Sequence, residues 1–365
     1  MTDQPRQDNP EIDSDALTAL AASIRQWAGE LGFQAVAISD AVVERDAQHL
    51  RDWLAKQYHG EMAFMAEHAD KRANPALLEP GTLRCISLRM DYLDRDGADP
   101  VRILNDKSVA YISRYALGKD YHKLVRKRIA QLVKRIRAAI PNAAGRAFVD
   151  SAPVLERALA QRAGMGWIGK NTMLINDKAG SWFFLGELFT NLALPVDPPQ
   201  QSMHCGSCSA CLPACPTEAI VAPFQVDGRR CISYLTIELK GAIPEELRPK
   251  MGNRVFGCDD CQLVCPWNKF AGANREEAFK PRHGLDNRQL SELFLMDEGE
   301  YLRISEGSAI RRIGYQRWLR NLAVGLGNAP TTPEVIEALQ ARLGCNDELV
   351  LEHVHWALAQ HGITP

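Results

Sequence analysis

Apolar residues recur along the chain with two different periods, which predict helices and strands in alternation over its first half. Helical spacing predicts helices over residues 14–30, 43–70, 121–140 and 153–163. Short apolar runs predict strands over residues 33–38, 84–90, 109–113, 147–149, 172–175 and 182–188. Because helices and strands alternate, we expect an α/β layer domain over residues 14–195, preceded by a disordered lead over residues 1–13.

The pattern changes after the stiff segment 194–199, where three prolines mark a predicted domain boundary. Cysteines, prolines and short spacings dominate residues 196–275, the second predicted domain. Residues 276–365 return to helical periodicity, with short amphipathic helices that can stack in pairs as an α-solenoid. The predicted fold class is therefore α+β or α/β with several domains.

Composition and charge exclude some classes of protein. The 365 residues carry 43 Lys and Arg against 45 Asp and Glu, a net charge of −2, so the chain is not a globally basic nucleic-acid coat. No apolar run reaches the ~18 residues of a membrane helix, and the polar N-terminus lacks the apolar core of a secretory signal. We expect a cytoplasmic protein with no membrane partner, and nothing in the sequence demands more than a monomer.

Eight of the ten cysteines lie between Cys205 and Cys265, and their spacing indicates iron–sulfur clusters. The run from Cys205 to Cys215 has the bacterial ferredoxin spacing C-x2-C-x2-C-x3-C-P, in which the fourth thiolate serves another cluster. A second run ends at Cys265-Pro266 but lacks its first cysteine. Cys231 lies between the runs and is the free candidate to replace it.

The spacing divides the eight thiolates into two sets of four. The first [4Fe–4S] cluster is predicted to bind Cys205, Cys208, Cys211 and Cys265. The second is predicted to bind Cys215, Cys231, Cys258 and Cys261. Two tetrahedral zinc sites are the alternative, but the triple C-x2-C-x2-C run and the two Cys-Pro endings disfavour them. Core packing is expected for the remaining Cys85 and Cys345.

A glycine-rich segment, Gly164-Met-Gly-Trp-Ile-Gly169, matches a dinucleotide-binding loop, and with Lys170 it matches the start of a phosphate-binding loop. Both loops follow a strand and begin a helix, whereas here a helix is predicted before the glycines and a strand after them. Asn171 also stands where a phosphate-binding loop needs Ser or Thr. We therefore expect no phosphate site here, although the glycines permit a close backbone approach.

Asp150 follows a predicted strand and precedes the helix that Pro153 is expected to begin, which leaves two interpretations open. Helix capping is the more ordinary role for an Asp at this position. A proton donor or ligand contact is the alternative, since sites form where the strands of an α/β sheet end.

The helix predicted from Tyr121 carries seven basic residues and no acidic one. They are Lys123, Arg126, Lys127, Arg128, Lys134, Arg135 and Arg137. A second basic segment, with Arg311, Arg312, Arg317 and Arg320, lies beside Tyr315 and Trp318. A solvated face and a contact to nucleic-acid phosphates are both open, and arginine beside aromatic residues suits RNA. The candidate nucleic-acid contacts are Lys123, Arg126, Lys127, Arg311, Arg312 and Arg317.

Several long motifs are similar to those of the epoxyqueuosine reductases, the iron–sulfur and cobalamin enzymes of tRNA queuosine synthesis. They are Lys71-Arg-Ala-Asn-Pro75, Tyr115-Ala-Leu-Gly-Lys-Asp-Tyr-His122, Val149-Asp-Ser-Ala-Pro153, the glycine segment with Lys170 and Asn171, Cys231-Ile-Ser-Tyr-Leu-Thr-Ile-Glu238 and Cys258-Asp-Asp-Cys-Gln-Leu-Val-Cys-Pro266. The resemblance spans about residues 70–270 and implies an α/β corrinoid-binding domain followed by a ferredoxin-like domain with two clusters. The helical end resembles the family's HEAT-like end more weakly.

The resemblance implies reduction of epoxyqueuosine to queuosine at the tRNA wobble position, with electrons passing from a low-potential donor through the clusters to cobalamin. Asp150 falls on the family's proton donor, and burial against the corrin is expected to raise its pKa. The implied corrinoid contacts are Arg72, Ser113, Asp150, Ser233, Cys258 and Asp259. No D-x-H-x-x-G loop is present, because Val125 replaces its glycine, and this fits a base-off corrinoid.

Three other functions stay open from the residues alone. A corrinoid and iron–sulfur reductase of a small molecule, similar to the reductive dehalogenases, would share both cofactors but would not need the basic surface. If the chain were only a two-cluster electron-transfer module, the first predicted domain would have no function. A zinc protein that binds nucleic acid would contain zinc instead of iron.

Overall fold

The computed structural model describes residues 13–200 and 202–364, so the predicted disordered lead, apart from Asp13, lies outside the described residues. The helices of the first half are α1 (Ser14–Glu30), α2 (Glu44–Ala55), α3 (Ala63–Glu67), α4 (Ala69–Ala73), α5 (Pro75–Leu78), α6 (Pro100–Asn105), α7 (Tyr121–Ala139) and α8 (Glu156–Arg162), with a 3-10 turn at Arg114–Ala116. Its strands are β1 (Ala35–Asp40), β2 (Arg84–Asp91), β3 (Tyr111–Ile112), β4 (Gly145–Phe148), β5 (Trp167–Ile168), β6 (Leu174–Ile175) and β7 (Phe183–Thr190).

Strands β1, β2, β7 and β4 form one sheet in that order, and every neighbouring pair is antiparallel. Helices α1 and α7 pack on one face, where Ile86 and Leu88 of β2 join the core. Helix α8 covers the other face, against Cys85 and Phe189. Alternate residues of a strand point to opposite faces, so β2 contributes to both cores. The sheet is thus of the α+β kind and not the predicted α/β layer, since alternation along the chain does not fix strand direction.

The cysteine-containing segment forms short elements joined by loops. Its helices are α9 (Cys211–Ala214), α10 (Ile232–Ile237), α11 (Arg248–Met251) and α12 (Asp260–Leu263), and its strands are β8 (Ile220–Ala222), β9 (Gln225–Val226) and β10 (Arg254–Phe256), with 3-10 turns at Gly228–Arg230, Glu245–Leu247 and Pro266–Phe270. Strand β10 pairs in parallel with β3, Arg254 opposite Tyr111, so backbone hydrogen bonds join this segment to the first half.

The last part of the chain is helical, as predicted. It contains α13 (Leu290–Leu295), α14 (Glu298–Ile304), α15 (Gly314–Gly327), α16 (Pro333–Gln340) and α17 (Glu348–Gln360), with 3-10 turns at Glu277–Phe279 and Ala309–Ile313. Helix α15 is central and packs against α13, α17 and β10. Ile112, Leu235 and Trp318 share one core, so this core crosses both predicted domain boundaries. Among the described helices, none has the length and apolar character needed to span a membrane.

Candidate functional site

The first cysteine run is joined in space by one cysteine of the second run. Burial raises the pKa of the Cys265 thiol, and the nearby thiolates of Cys205 and Cys208 raise it further. Cys211 lines the same small cavity as these three, together with Trp267. The structure therefore brings Cys265 to the first run, as the ferredoxin spacing predicts, although the ligand assignment itself stays a prediction.

The remaining four cysteines form a second group. Burial raises the pKa of the Cys261 thiol, and the thiolates of Cys231 and Cys215 raise it further. Burial, together with Asp260, raises the pKa of Cys258, and Cys231 adds to this effect. Cys231, the cysteine between the two runs, thus lies with this group. Within residues 13–200 and 202–364, no three His, Cys, Asp or Glu side chains surround a single metal position.

The glycine-rich segment holds the cysteine loops in place. It contains β5, which pairs with the following strand β6 in a hairpin, so the segment does not join a strand to a helix. The Nζ of Lys170 donates to the backbone oxygens of Gly206 at 2.8 Å and Cys208 at 2.9 Å. The Nδ2 of Asn171 donates to the backbone oxygen of Cys261 at 3.2 Å. One short segment therefore contacts loops of both cysteine groups.

Hydrogen bonds to the side chain of Asp259 hold the second cysteine run against β3 and the residues that follow it. Its carboxylate accepts hydrogen bonds from Ser113 Oγ at 2.6 Å, Tyr111 Oη at 2.8 Å and the Arg114 backbone amide at 2.8 Å. A Cβ at Gly257, whose φ is +69°, would lie 2.6 Å from the Cβ of Ser113, so this approach requires glycine. Ser113 is 2% exposed and Asp259 1%. Their side chains bind each other inside the protein, and a contact of either residue with a corrinoid stays a prediction.

Asp150 does not cap a helix, so the capping interpretation is wrong. It lies in the loop after β4 with a left-handed φ of 43°, while α8 begins only at Glu156. The chain turns through residues 151–155 first, and the carboxylate of Asp150 is therefore free of the helix end. Its side chain is 55% exposed, and its Oδ2 lies 3.0 Å from Nε2 of His122. A non-glycine residue at such a φ is uncommon and is enriched at functional sites.

His122 bridges two carboxylates, an arrangement that the sequence analysis missed. Its Nδ1 lies 2.6 Å from Oδ1 of Asp120, which also caps α7 by accepting from the His122 backbone amide at 3.0 Å. The other oxygen of Asp120 lies 3.5 Å from Arg312. The sequence signal for it is an N-cap Asp followed two residues later by a His, the same residues that begin the incomplete D-x-H-x-x-G loop. In the structure, this His contacts Asp150.

The neighbours of Asp150 set its protonation in the ligand-free protein. The partial burial of Asp150 raises the pKa of its carboxyl group, but hydrogen bonds from His122 and Tyr121 outweigh this effect and hold the pKa below its usual range. Burial lowers the pKa of His122, yet the carboxylates of Asp120 and Asp150 outweigh it and raise the pKa. Burial and the charge of Asp150 raise the pKa of Glu156 to about 8. Before any ligand binds, these contacts thus favour the carboxylate form of Asp150 and the protonated form of His122.

Arg72 is a predicted corrinoid contact whose side chain has a buried N–H group without a hydrogen-bond partner among the described residues. It is 7% exposed, its Nη1 lies 3.3 Å from the backbone oxygen of Ala152, and its Nε has no partner among the described residues. A buried guanidinium N–H without a partner is costly and suggests a polar ligand group beside the Asp150 loop. Ser233 is half-buried in the first turn of α10, two residues after Cys231.

The basic face of α7 is partly neutralised by acids from other elements. Arg128 forms an ion pair with Glu276, and Arg135 forms one with Glu30. The charges predicted to contact nucleic acid lie near the N-terminal end of the helix. They are the exposed residues Lys123, Arg126 and Lys127. The positive charge of α7 is therefore partly neutralised in the fold, but the N-terminal end of the helix remains a basic surface.

The second basic segment divides into exposed and structural residues. Arg311 and Arg312 are exposed. Arg317 is half-buried and donates to the backbone oxygen of Ile237 at 2.9 Å. Arg320, fully buried, donates to backbone oxygens around the end of α10, and burial lowers its pKa to about 9. Arg320, which is not among the predicted nucleic-acid contacts, is therefore a core residue of this segment.

Two family models match the segments that build this site. Residues 204–268 match the 4Fe-4S double cluster binding domain, and residues 72–151 match Epoxyqueuosine reductase QueG, DUF1730. The first match covers all eight clustered cysteines, and the second runs from Arg72 to just beyond Asp150. The chain is thus an iron–sulfur protein with a domain for two [4Fe–4S] clusters.

Whole-chain comparisons show the family. The epoxyqueuosine reductase of Pseudomonas aeruginosa strain PAO1 is 61% identical over 364 residues, covering 100% of both chains. That of Escherichia coli strain K12 is 54% identical, covering 94% of this chain and 90% of the relative. A crystal structure of epoxyqueuosine reductase with a tRNA-TYR epoxyqueuosine-modified tRNA stem loop has a TM-score of 0.86 at 27% identity, covering 95% of this chain and 91% of that one. The chain belongs to the epoxyqueuosine reductase family and is an oxidoreductase.

Proposed function

We propose that this chain converts epoxyqueuosine to queuosine at the wobble position of tRNA, with Asp150 as the proton donor and a low-potential protein or reductant as the electron source. Removal of the epoxide oxygen as water consumes two electrons and two protons. The observation that supports the role of Asp150 is its exposed carboxylate, fixed by His122 in a left-handed loop. A similar epoxyqueuosine reductase from Bacillus subtilis, with a TM-score of 0.83 at 26% identity, is described with an aspartate catalytic loop swung out of its active site.

The residues around Asp150 fit a corrinoid through their chemistry. The unpartnered Nε of Arg72 can donate to a polar side group of the corrin, and Ser233 can add a hydroxyl. Cobalamin, when bound there, would supply the low-potential electrons that the two clusters deliver. Ser113 and Asp259 would act from inside the protein, because the hydrogen bond between them sets the position of the loop at Cys258. Asp150 would hold a proton at Oδ2 and transfer it to the leaving oxygen.

The proposed function predicts that the reconstituted protein removes one oxygen from epoxyqueuosine. The protein would be incubated with cobalamin, a strong reductant and an anticodon stem-loop that carries epoxyqueuosine, and the nucleosides would be analysed by mass spectrometry. We expect an oxygen loss that requires added cobalamin. A reaction without cobalamin would remove the proposed cofactor. No reaction, with intact clusters and bound corrinoid, would favour a reductase of another substrate.

The basic end of α7 predicts a salt-dependent contact to the stem-loop. Replacing Lys123, Arg126 and Lys127 together by alanine should weaken binding and reduce the slope of log affinity against log salt by roughly one per lost phosphate contact. Binding would be measured from 50 to 200 mM salt. The charge-matched control replaces the exposed lysines Lys107, Lys178 and Lys250. An equal slope in both triple variants would make this end of α7 only a solvated face.

A further inference from the structure

The proposed reaction needs a second proton that Asp150 alone does not carry. One carboxyl delivers one proton, whereas water formation consumes two. Tyr121 contacts the carboxylate of Asp150, but burial raises the pKa of its hydroxyl well above the usual value, so it keeps its proton. Glu156 accepts from the backbone amide of Asp150 at 2.7 Å and does not bond to the carboxylate. His122, by contrast, has its Nε2 3.0 Å from Oδ2 of Asp150 and can transfer a proton to it.

The environment of His122 suits a proton relay. Its side chain is 8% exposed, so the protein and not bulk water sets its orientation. Burial raises the pKa of Asp120, but hydrogen bonds from His122 outweigh it and lower the pKa, and nearby Arg312 acts in the same direction. Asp120 therefore stays ionised and holds a proton on Nδ1 of His122. This hydrogen bond fixes the ring with Nε2 toward Asp150, since the partner of one ring nitrogen sets the role of the other.

We propose that His122 is a positioning residue that also returns a proton to Asp150 between the two protonation steps, an inference that rests on the proposed function. Asp150 Oδ2–H first protonates the oxygen released from the opened epoxide. The Nε2–H of the imidazolium then transfers its proton to the Oδ2 carboxylate. His122 becomes neutral with its Nδ1–H still donated to Asp120, and Asp150 holds the second proton, which completes the water. No electrons move in this transfer, and after turnover solvent restores both protons, one to Asp150 and one to Nε2 of His122.

The charged groups around the relay set the direction of its pH dependence. The carboxylates of Asp120 and Asp150 face the ring and favour the imidazolium, whereas Arg312 from the helical end opposes it. Glu156, behind the Asp150 loop, has a pKa near 8 and is neutral over most of the working range. The relay therefore loses its proton as the pH rises through the pKa of His122, which lies above the ordinary imidazole value.

The first test measures His122 without any turnover. Histidine ring nitrogens would be labelled with 15N in the protein with oxidised clusters, and the His122 signals would be assigned by their loss in His122→Gln. We expect a titration midpoint above the ordinary value of about 6.5 and a lower midpoint in Asp120→Asn. A midpoint at or below 6.5, or one that does not change in Asp120→Asn, would overturn the relay whatever the substrate is.

The second test follows turnover of the stem-loop against pH. His122→Gln should lower kcat about 10-fold or more, leave KM near wild type and abolish the fall in kcat at alkaline pH. Glu156→Gln should keep that fall, and His355→Gln, at an exposed histidine of α17, is the matched control. An alkaline fall that persists in His122→Gln, or that disappears in Glu156→Gln, would contradict the proposal. Absence of oxygen loss in the wild type would instead contradict the proposed function, and the nitrogen titration distinguishes the two failures.

Discussion

Replacing Asp150 with asparagine should lower turnover of the epoxyqueuosine stem-loop by about 10²–10⁴-fold, the usual contribution of a general acid. The amide has nearly the same shape and can still accept the hydrogen bond from His122, but it has no carboxyl proton to give. Cluster content, cobalamin binding and stem-loop affinity should therefore stay near the wild-type values. The measurement is single-turnover oxygen loss by nucleoside mass spectrometry, alongside iron content, the corrinoid absorption spectrum and stem-loop binding.

Asp177→Asn is the matched control, because Asp177 is exposed in the turn after β6. It should turn over at the wild-type rate. Wild-type turnover in Asp150→Asn would end the proton-donor hypothesis, and a loss of corrinoid or stem-loop binding would turn Asp150 into a binding residue. Either result is separable from misfolding, since iron content reports on the folding of the cysteine loops.

The lowered pKa of Asp150 does not conflict with this role. In the ligand-free protein, water reaches the carboxylate and His122 stabilises its charge. A bound ligand that covers this exposed face removes the water and disfavours the charged form, which shifts the pKa upward. The protein alone therefore holds Asp150 ready to accept a proton, and covering the site favours the acid form. The sequence-based expectation of a raised pKa applies to the covered site only.

The sequence predicted the helices and strands better than it predicted their arrangement. Helix α7, predicted over residues 121–140, ends at Ala139, because its apolar stripe and the N-cap Asp120 are local signals. The antiparallel sheet was not predictable in the same way, since strand pairing depends on contacts between residues far apart in the chain. For the same reason, the sequence does not show that Arg320 is buried, because the backbone oxygens that accept its hydrogen bonds belong to residues far from it in the chain.

In the candidate site, too, local patterns were predictable from the sequence and contacts between distant residues were not. Cysteine spacing and the Asp150 motif are local patterns, and they located both cysteine groups and the exposed carboxylate. The contact of His122 with Asp150 joins residues 28 positions apart, and no periodicity predicts it. Ser113 and Asp259 lie 146 positions apart, and only the fold shows that their side chains are hydrogen-bonded to each other.

The crossover of Cys265 and Cys261 to different clusters predicts a large difference between two double variants. Wild-type protein reconstituted without oxygen should contain about eight irons, four for each cluster. Cys205→Ala with Cys265→Ala removes two ligands from one proposed cluster and should leave about four. Cys261→Ala with Cys265→Ala removes one ligand from each proposed cluster and should leave far fewer than four irons. The two cysteines are only four residues apart, so this result would not follow if they served the same cluster. Iron analysis and Mössbauer spectroscopy would measure both.

Cys345→Ala is the control for these variants, because Cys345 packs beside the core of the helical end. It should keep about eight irons. If Cys261→Ala with Cys265→Ala kept four irons, the two residues would serve one cluster, and the crossover assignment would be wrong. If Cys231→Ala kept all eight, the second cluster would have a different fourth ligand. Since the structure places Cys231 beside Cys215 and Cys258, and Cys265 beside Cys205, each of these outcomes would also contradict the grouping of thiols in the fold.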